Sequence, residues 1–220
     1  MKYTYILFDL DGTLTESGPG IMNSVSYALE KLGKPSQPTE VLRKFVGPPL
    51  AHSFMHFCGF AKEEVPVAIE TYREYYRKKG MFENSVYPGI AEMLQSLKDA
   101  GLHLAVATSK PEVLSLQILE HFDLKPYFEV ICGATMDEKR VKKGEIIADA
   151  MKGLGIAETD KGRVLMVGDR EHDVLGAKEN GIASMGVLFG YGNRKELETA
   201  GADYIAESAA DITKQILSFL

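Results

Sequence analysis

Tyr5-Ile6-Leu7-Phe8-Asp9-Leu10-Asp11-Gly12-Thr13-Leu14 decides how the rest of this chain is read. A short apolar run closed by acids and glycine has the form of a buried strand ending at a turn. Two carboxylates one residue apart would point the same way if strand geometry persisted beyond Phe8. Such neighbours repel, and the arrangement costs stability unless a cation or a shared proton relieves it. A divalent metal with oxygen ligands does so, and magnesium suits a site with few protein ligands plus a phosphate. Gly12 lets the backbone turn sharply and approach an anion closely. The plainer alternative is a strand-ending turn, where Asp and Gly are common.

Downstream, the pattern is helical from about residue 18 to 79. Ile21, Val25, Ala28, Leu29 and Leu32 share one face, and Gly33 ends that helix. Val41, Phe45 and Val46 predict a second helix, Leu50, Phe54 and Phe57 a third, and Val65, Ile69, Tyr72 and Tyr76 a fourth. After Pro88-Gly89, helices and strands alternate. Strands are predicted at 102–107, 128–132, 164–167, 183–188 and about 203–205. That grammar means βαβ units and a mostly parallel sheet covered on both faces. The first strand belongs to the sheet, so the helical stretch is an insertion. The expected division is a core of residues 1–15 and 82–220, with a helical cap at 16–81.

In open sheets of this kind the working groups gather at the carboxyl ends of the strands. A second apolar strand ends in Gly168-Asp169-Arg170-Glu171-His172-Asp173. Helix capping could account for Asp173, but Asp169 adds a third acid near Asp9 and Asp11. In Ala107-Thr108-Ser109-Lys110-Pro111-Glu112, hydroxyls stand between a strand and a helix, which makes an anion site. Ser109 with Glu112 also fits a capping box, and Pro111 the first helical turn. Thr108 therefore ranks higher as a phosphate contact. Lys142-Lys143 precedes the helix through Ile146, where cations oppose the macrodipole unless an anion is bound. The plainer alternative is a solvated charge run with Asp137 and Glu138.

Composition narrows the classes. The 220 residues are 45% hydrophobic and 25% charged, ordinary for a globular chain. A net charge of -6 disfavours a nucleic-acid polymer as partner, which would call for a basic face. Cys58 and Cys132 fit no metal pattern and are expected as buried thiols in a reducing cytosol. No apolar run approaches the roughly 20 residues that span a bilayer, so a cytoplasmic protein without a membrane partner is expected.

Taken in order, Asp9-x-Asp11-Gly12-Thr13, the hydroxyl strand end at Thr108, a downstream lysine and Gly168-Asp169-x-x-x-Asp173 resemble the four motifs of the haloacid dehalogenase superfamily. The resemblance covers essentially the whole chain, including the helical insertion of its C1-cap members. Among these the chain looks most like the phosphoglycolate phosphatase, pyrophosphatase and 5′-nucleotidase-like phosphatases. It departs at the lysine: many relatives carry Lys-Pro-x-Pro, whereas this chain has Arg140-Val141-Lys142-Lys143-Gly144-Glu145. Lys143 is taken as the counterpart, with Lys142 as the alternative.

The resemblance implies an α/β, Rossmann-like fold and a phosphatase acting on a small phosphorylated metabolite. Asp9 would attack phosphorus to form an aspartyl-phosphate, and Asp11 would protonate the leaving alkoxide and later activate water. Mg2+ would be held by Asp9, the backbone carbonyl of Asp11 and Asp169, with Asp173 orienting the metal's waters. Gly12, Thr108, Ser109 and Lys143 would bind phosphate. Asp11 argues against dehalogenation, because a halide leaves without a proton. A phosphohexomutase of the same fold and a non-catalytic module binding a phosphorylated ligand remain alternatives. Arg43, Lys44, Gly47-Pro48-Pro49-Leu50, Glu16, Ser17 and Gly190-Tyr191-Gly192 are candidate substrate neighbours. His52 and His56 are expected as surface residues.

Overall fold

A computed structural model of the chain describes residues 2–137 and 139–219. It divides into two compact units, Met1–Thr15 with Val86–Leu220, and Glu16–Ser85.

The first unit is built on six strands: β1 (Tyr5–Phe8), β2 (His103–Pro111), β3 (Val130–Ala134), β4 (Val164–Gly168), β5 (Ala183–Val187) and β6 (Tyr204–Ala206). Their order is β3-β2-β1-β4-β5-β6, and every described pairing is parallel. Ile6, Leu7 and Phe8 of β1 are wholly buried, as are Leu165, Met166 and Val167 of β4. Both strands read as continuous apolar runs because helices cover both faces of a parallel sheet. The winding direction reverses between β1 and β4, the place where such sheets open a crevice. There Phe8 pairs with Val167, and the Asp9 N–H extends the ladder to Val167 O at 2.9 Å. Asp9 is thereby fixed beside Gly168-Asp169.

The Lys143–Gly153 helix packs Ile146, Ile147 and Ala150 against Leu7, Ala105 and Met166. Burying each isoleucine contributes about 1.5–3 kcal/mol, and the packing brings the start of this helix to the strand tips. The Glu171–Glu179 helix begins directly after β4 and carries Asp173.

Three sequence readings are corrected. β2 runs on to Pro111 rather than stopping at residue 107, with a register irregularity between Thr108 and Pro111. β3 begins at Val130 because Lys125–Tyr127 forms a 3-10 turn before it. Helices at Arg194–Ala200 and Ala209–Leu217 went unread, although Asn193 and Ser208 cap them through Glu196 N and Asp211 N.

The second unit is helical. Gly18–Lys31 buries Ile21, Val25, Ala28 and Leu29. The expected helix near residues 41–46 is only Thr39–Leu42 followed by a 3-10 turn, Arg43–Phe45. Leu50–Cys58 and Val65–Tyr75 follow, the latter running into a π-turn at Tyr76–Gly80. The unit ends at Ser85 rather than at residue 81. Its last segment returns to its first, with Glu16 N–H donating to Ser85 O at 2.8 Å. Among the described residues no helix is long and apolar enough to cross a membrane. Cys58 and Cys132 are free and partly exposed, not buried as expected.

Candidate active site

The tips of β1 and β4 meet beside the start of the Glu171–Glu179 helix. One carboxylate oxygen from each of Asp9, Asp169 and Asp173 lies within 4.8 Å of the other two, and all three residues are buried. Among the described residues this is the only cluster of three or more metal-ligating side chains. Lys143 Nζ stands 2.9 Å from Asp9 Oδ1 and 2.8 Å from Asp173 Oδ1. Neither oxygen has a well-aligned hydrogen-bond donor, so the ammonium charge faces two buried carboxylate atoms without satisfying their geometry. Lys143 also donates to Ala107 O at 3.2 Å.

Burial pushes the Asp9 carboxyl up to about 6. Lys143 opposes that rise, Asp173 adds to it, and a hydrogen bond with the Thr108 side chain lowers it. Asp169 is raised well above the carboxylate range by burial, then by the charges of Asp173 and Asp9. Burial disfavours the Lys143 charge, yet Asp173 and Asp9 hold its ammonium above the ordinary lysine range. One buried cation among three acids leaves an excess of negative charge. All-carboxylate donors with two poorly satisfied oxygens fit a small hard divalent cation.

Lys142, the alternative lysine, is exposed and precedes the helix, while Lys143 is 7% exposed and reaches inward. The carboxylates, rather than a bound phosphate alone, answer the conflict between that cation and the helix dipole. Asp137 pairs with Lys139 at 3.0 Å, and Glu138 lies outside the described residues. Asp173 serves in two ways. Its Oδ2 accepts from Arg170 N at 3.1 Å as a helix cap, while Oδ1 faces Lys143.

Asp11 does not place its carboxylate in the acidic cluster. Lys110 Nζ takes both of its oxygens, at 3.0 and 2.8 Å. Only the backbone carbonyl remains for the metal role that the resemblance assigns to Asp11. The sequence reading missed Lys110, having treated residues 107–112 as strand, hydroxyls and helix. The Ser109–Glu112 capping box is absent: Pro111 precedes the Glu112–His121 helix with no side-chain cap, and Ser109 Oγ donates to Val141 O at 3.4 Å. The strand continues where the box was expected. Thr108 is 1% exposed, and its Oγ1 accepts from Lys110 N at 3.2 Å.

Gly12 has φ of 83°, and a Cβ there would fall 2.3 Å from Asp169 Oδ2. Both the turn and the close approach require glycine. In the helical unit Arg43, Lys44, His52 and His56 are exposed, the two imidazole centroids 4.2 Å apart with the rings tilted by 39°, while Ser17 is buried.

The haloacid dehalogenase-like hydrolase family profile matches residues 6–187. A 5′-nucleotidase from Pseudomonas aeruginosa is 42% identical over 96% of this chain and 94% of its own length. A relative from Mycobacterium tuberculosis named tyrosine-protein kinase PtkA is 39% identical over 93% of this chain and 68% of its own. The crystal structure of a predicted phosphatase from Clostridium acetobutylicum superposes with a TM-score of 0.92 at 50% identity, covering 99% of this chain and 100% of that one. With the motifs gathered at one sheet crevice and the profile spanning most of its length, this chain belongs to the haloacid dehalogenase-like hydrolase family.

Proposed function

We propose that the chain hydrolyses a small-molecule phosphate monoester, with the Asp9 carboxylate as nucleophile and Mg2+ as cofactor. The observation that carries this reading is the convergence of Asp9, Asp169 and Asp173 at the β1/β4 crevice, with Lys143 against Asp9 and Asp173.

Asp9, Asp169 and Asp173 would hold the cation, directly or through its waters, together with the Asp11 carbonyl. When bound, Mg2+ neutralises phosphate charge and aligns the phosphorus for attack. Asp9 then forms an aspartyl-phosphate, dividing one hard displacement into two easier ones. Lys143 and the Thr108 hydroxyl, both already in contact with Asp9, hold equatorial phosphoryl oxygens, with Ser109 and the Gly12 backbone beside them. Asp11, positioned by Lys110, takes up a proton as substrate binds, passes it to the leaving alkoxide and later draws a proton from water. The inserted helical unit acts as a cap that selects the leaving group. The substrate class is phosphoglycolate-like or nucleotide-like, supported by the motif resemblance and by the relative named 5′-nucleotidase.

A magnesium-dependent turnover screen over phosphoglycolate, nucleoside monophosphates, sugar phosphates and pyrophosphate tests this. Release of inorganic phosphate that is lost in Asp9→Asn supports it, and no turnover of any ester by wild type refutes it. Isomerisation of glucose 1-phosphate would point to the mutase alternative.

A second reading is favoured by the relative named tyrosine-protein kinase: the phosphoryl group could pass to a phenol instead of water. Label appearing on added tyrosine peptides instead of in free phosphate would select it.

A further inference from the structure

Asp169 is wholly buried, and its orientation is set by a segment outside the recognised motifs. The Tyr191 N–H donates to Asp169 Oδ2 at 2.7 Å. The other oxygen, Oδ1, has a long 3.5 Å contact from Thr13 Oγ1. The amide thus holds one carboxylate oxygen and leaves its twin the more available of the two.

The loop reaches this position because glycines flank Tyr191. A Cβ at Gly190 would sit 2.3 Å from Gly12 O and 2.4 Å from Asp169 Cβ. A Cβ at Gly192 would sit 1.9 Å from Asp169 O. Neither residue has a positive φ, so the requirement is close approach, not backbone conformation. Gly12 completes the convergence, since a Cβ there would lie 2.7 Å from the Tyr191 ring. Three chain segments, following β1, β4 and β5, therefore close on one carboxylate. A turn alone would not place two glycines against the same aspartate.

We infer that Gly190-Tyr191-Gly192 is a backbone clamp that orients Asp169 for divalent-cation binding, with Tyr191 N–H as the positioning group. The inference rests on the reading of Asp169 as a metal ligand. Partners that orient a metal ligand are worth about 10- to 100-fold in affinity.

The test titrates Mn2+ into metal-free protein and follows the signal of free Mn2+ by electron paramagnetic resonance, which needs no turnover. Wild type is expected to bind one Mn2+ tightly at this cluster. Gly192→Ala, which forces the loop off a backbone oxygen, is expected to bind roughly 10- to 100-fold more weakly. Gly162→Ala, at a glycine with nothing within 4 Å, is expected to match wild type. A merely structural loop would lower the melting temperature of Gly192→Ala without changing its Mn2+ affinity, and that result overturns the inference. Wild type that binds no Mn2+ overturns the metal reading itself.

A second measurement on wild type guards against a variant that does not fold. The Tyr191 amide is expected to exchange slowly with deuterium and to shift its resonance on Mg2+ addition. Rapid exchange without a shift counts against the clamp.

Discussion

Lys110 Nζ grips the Asp11 carboxylate at both oxygens, 2.8 Å from Oδ2 and 3.0 Å from Oδ1, with the two side chains 6% and 12% exposed. The two acids of the Asp9-x-Asp11 motif thus have separate lysines, Lys143 on Asp9 and Lys110 on Asp11. On the proposed mechanism, the nucleophile and the proton donor of one short segment have different partners.

Removing Lys110 should therefore injure proton donation more than attack. Lys110→Met is expected to lower kcat for alkyl phosphates roughly 10-fold, a part of the 10²–10⁴ that a positioned acid contributes. Turnover of p-nitrophenyl phosphate, whose phenolate leaves without a proton, should change little. Equal losses on both esters would place the effect on the shared hydrolysis of the aspartyl-phosphate, and no loss on either would refute a role through Asp11. Unfolding by urea supplies a second check. Lys110→Met should cost about 3 kcal/mol, and the Asp11→Asn, Lys110→Met double variant less, because no charge is then left unpaired.

Much of this site was legible because its signals are local. Asp9, Asp169 and Thr108 each follow an apolar run, and strand tips are where a parallel sheet places its chemistry. Lys110 was not legible, because its partner lies 99 residues away and the irregularity after Thr108 breaks simple strand alternation. Ser109 and Glu112 misled in the opposite direction: the spacing of a capping box was present, but the strand ran through it. In the fold, the sheet and its insertion followed from period. The two helices after β5 carried Asn193-x-x-Glu196 and Ser208-x-x-Asp211 cap signals but only short apolar patterns.

Lys143 stands where a divalent cation would share the same carboxylates. Lys143→Met should destabilise the metal-free protein by about 3–5 kcal/mol, since buried acids lose their counter-charge. Mg2+ should raise its melting temperature more than that of wild type. Activity should fall on the order of 10²–10³-fold with the loss of a phosphoryl-oxygen donor. Calorimetry with and without Mg2+ reads the first two effects. An equal Mg2+ increment in both proteins would argue that the ion binds elsewhere.

The pH dependence has a definite sign. Burial raises Asp9 from 3.8 to about 6, so between these values the folded chain holds a proton that the unfolded chain has lost. Its contribution to stability is fully present below pH 3.8 and is lost as pH rises through about 6. Asp169 is shifted in the same direction. In the absence of divalent ions, the melting temperature of Asp9→Asn relative to wild type should therefore rise between about pH 4 and pH 7. A constant or falling difference would contradict the buried, proton-retaining nucleophile.

The most direct test of the account is to quench wild type during steady turnover of p-nitrophenyl phosphate with Mg2+ and map the protein by mass spectrometry. A hydroxylamine-labile phosphoryl group on the peptide containing Asp9, absent from Asp9→Asn, is the expected result. Rapid turnover with the label on another residue, or with no covalent phosphoryl group at any quench time, would contradict it.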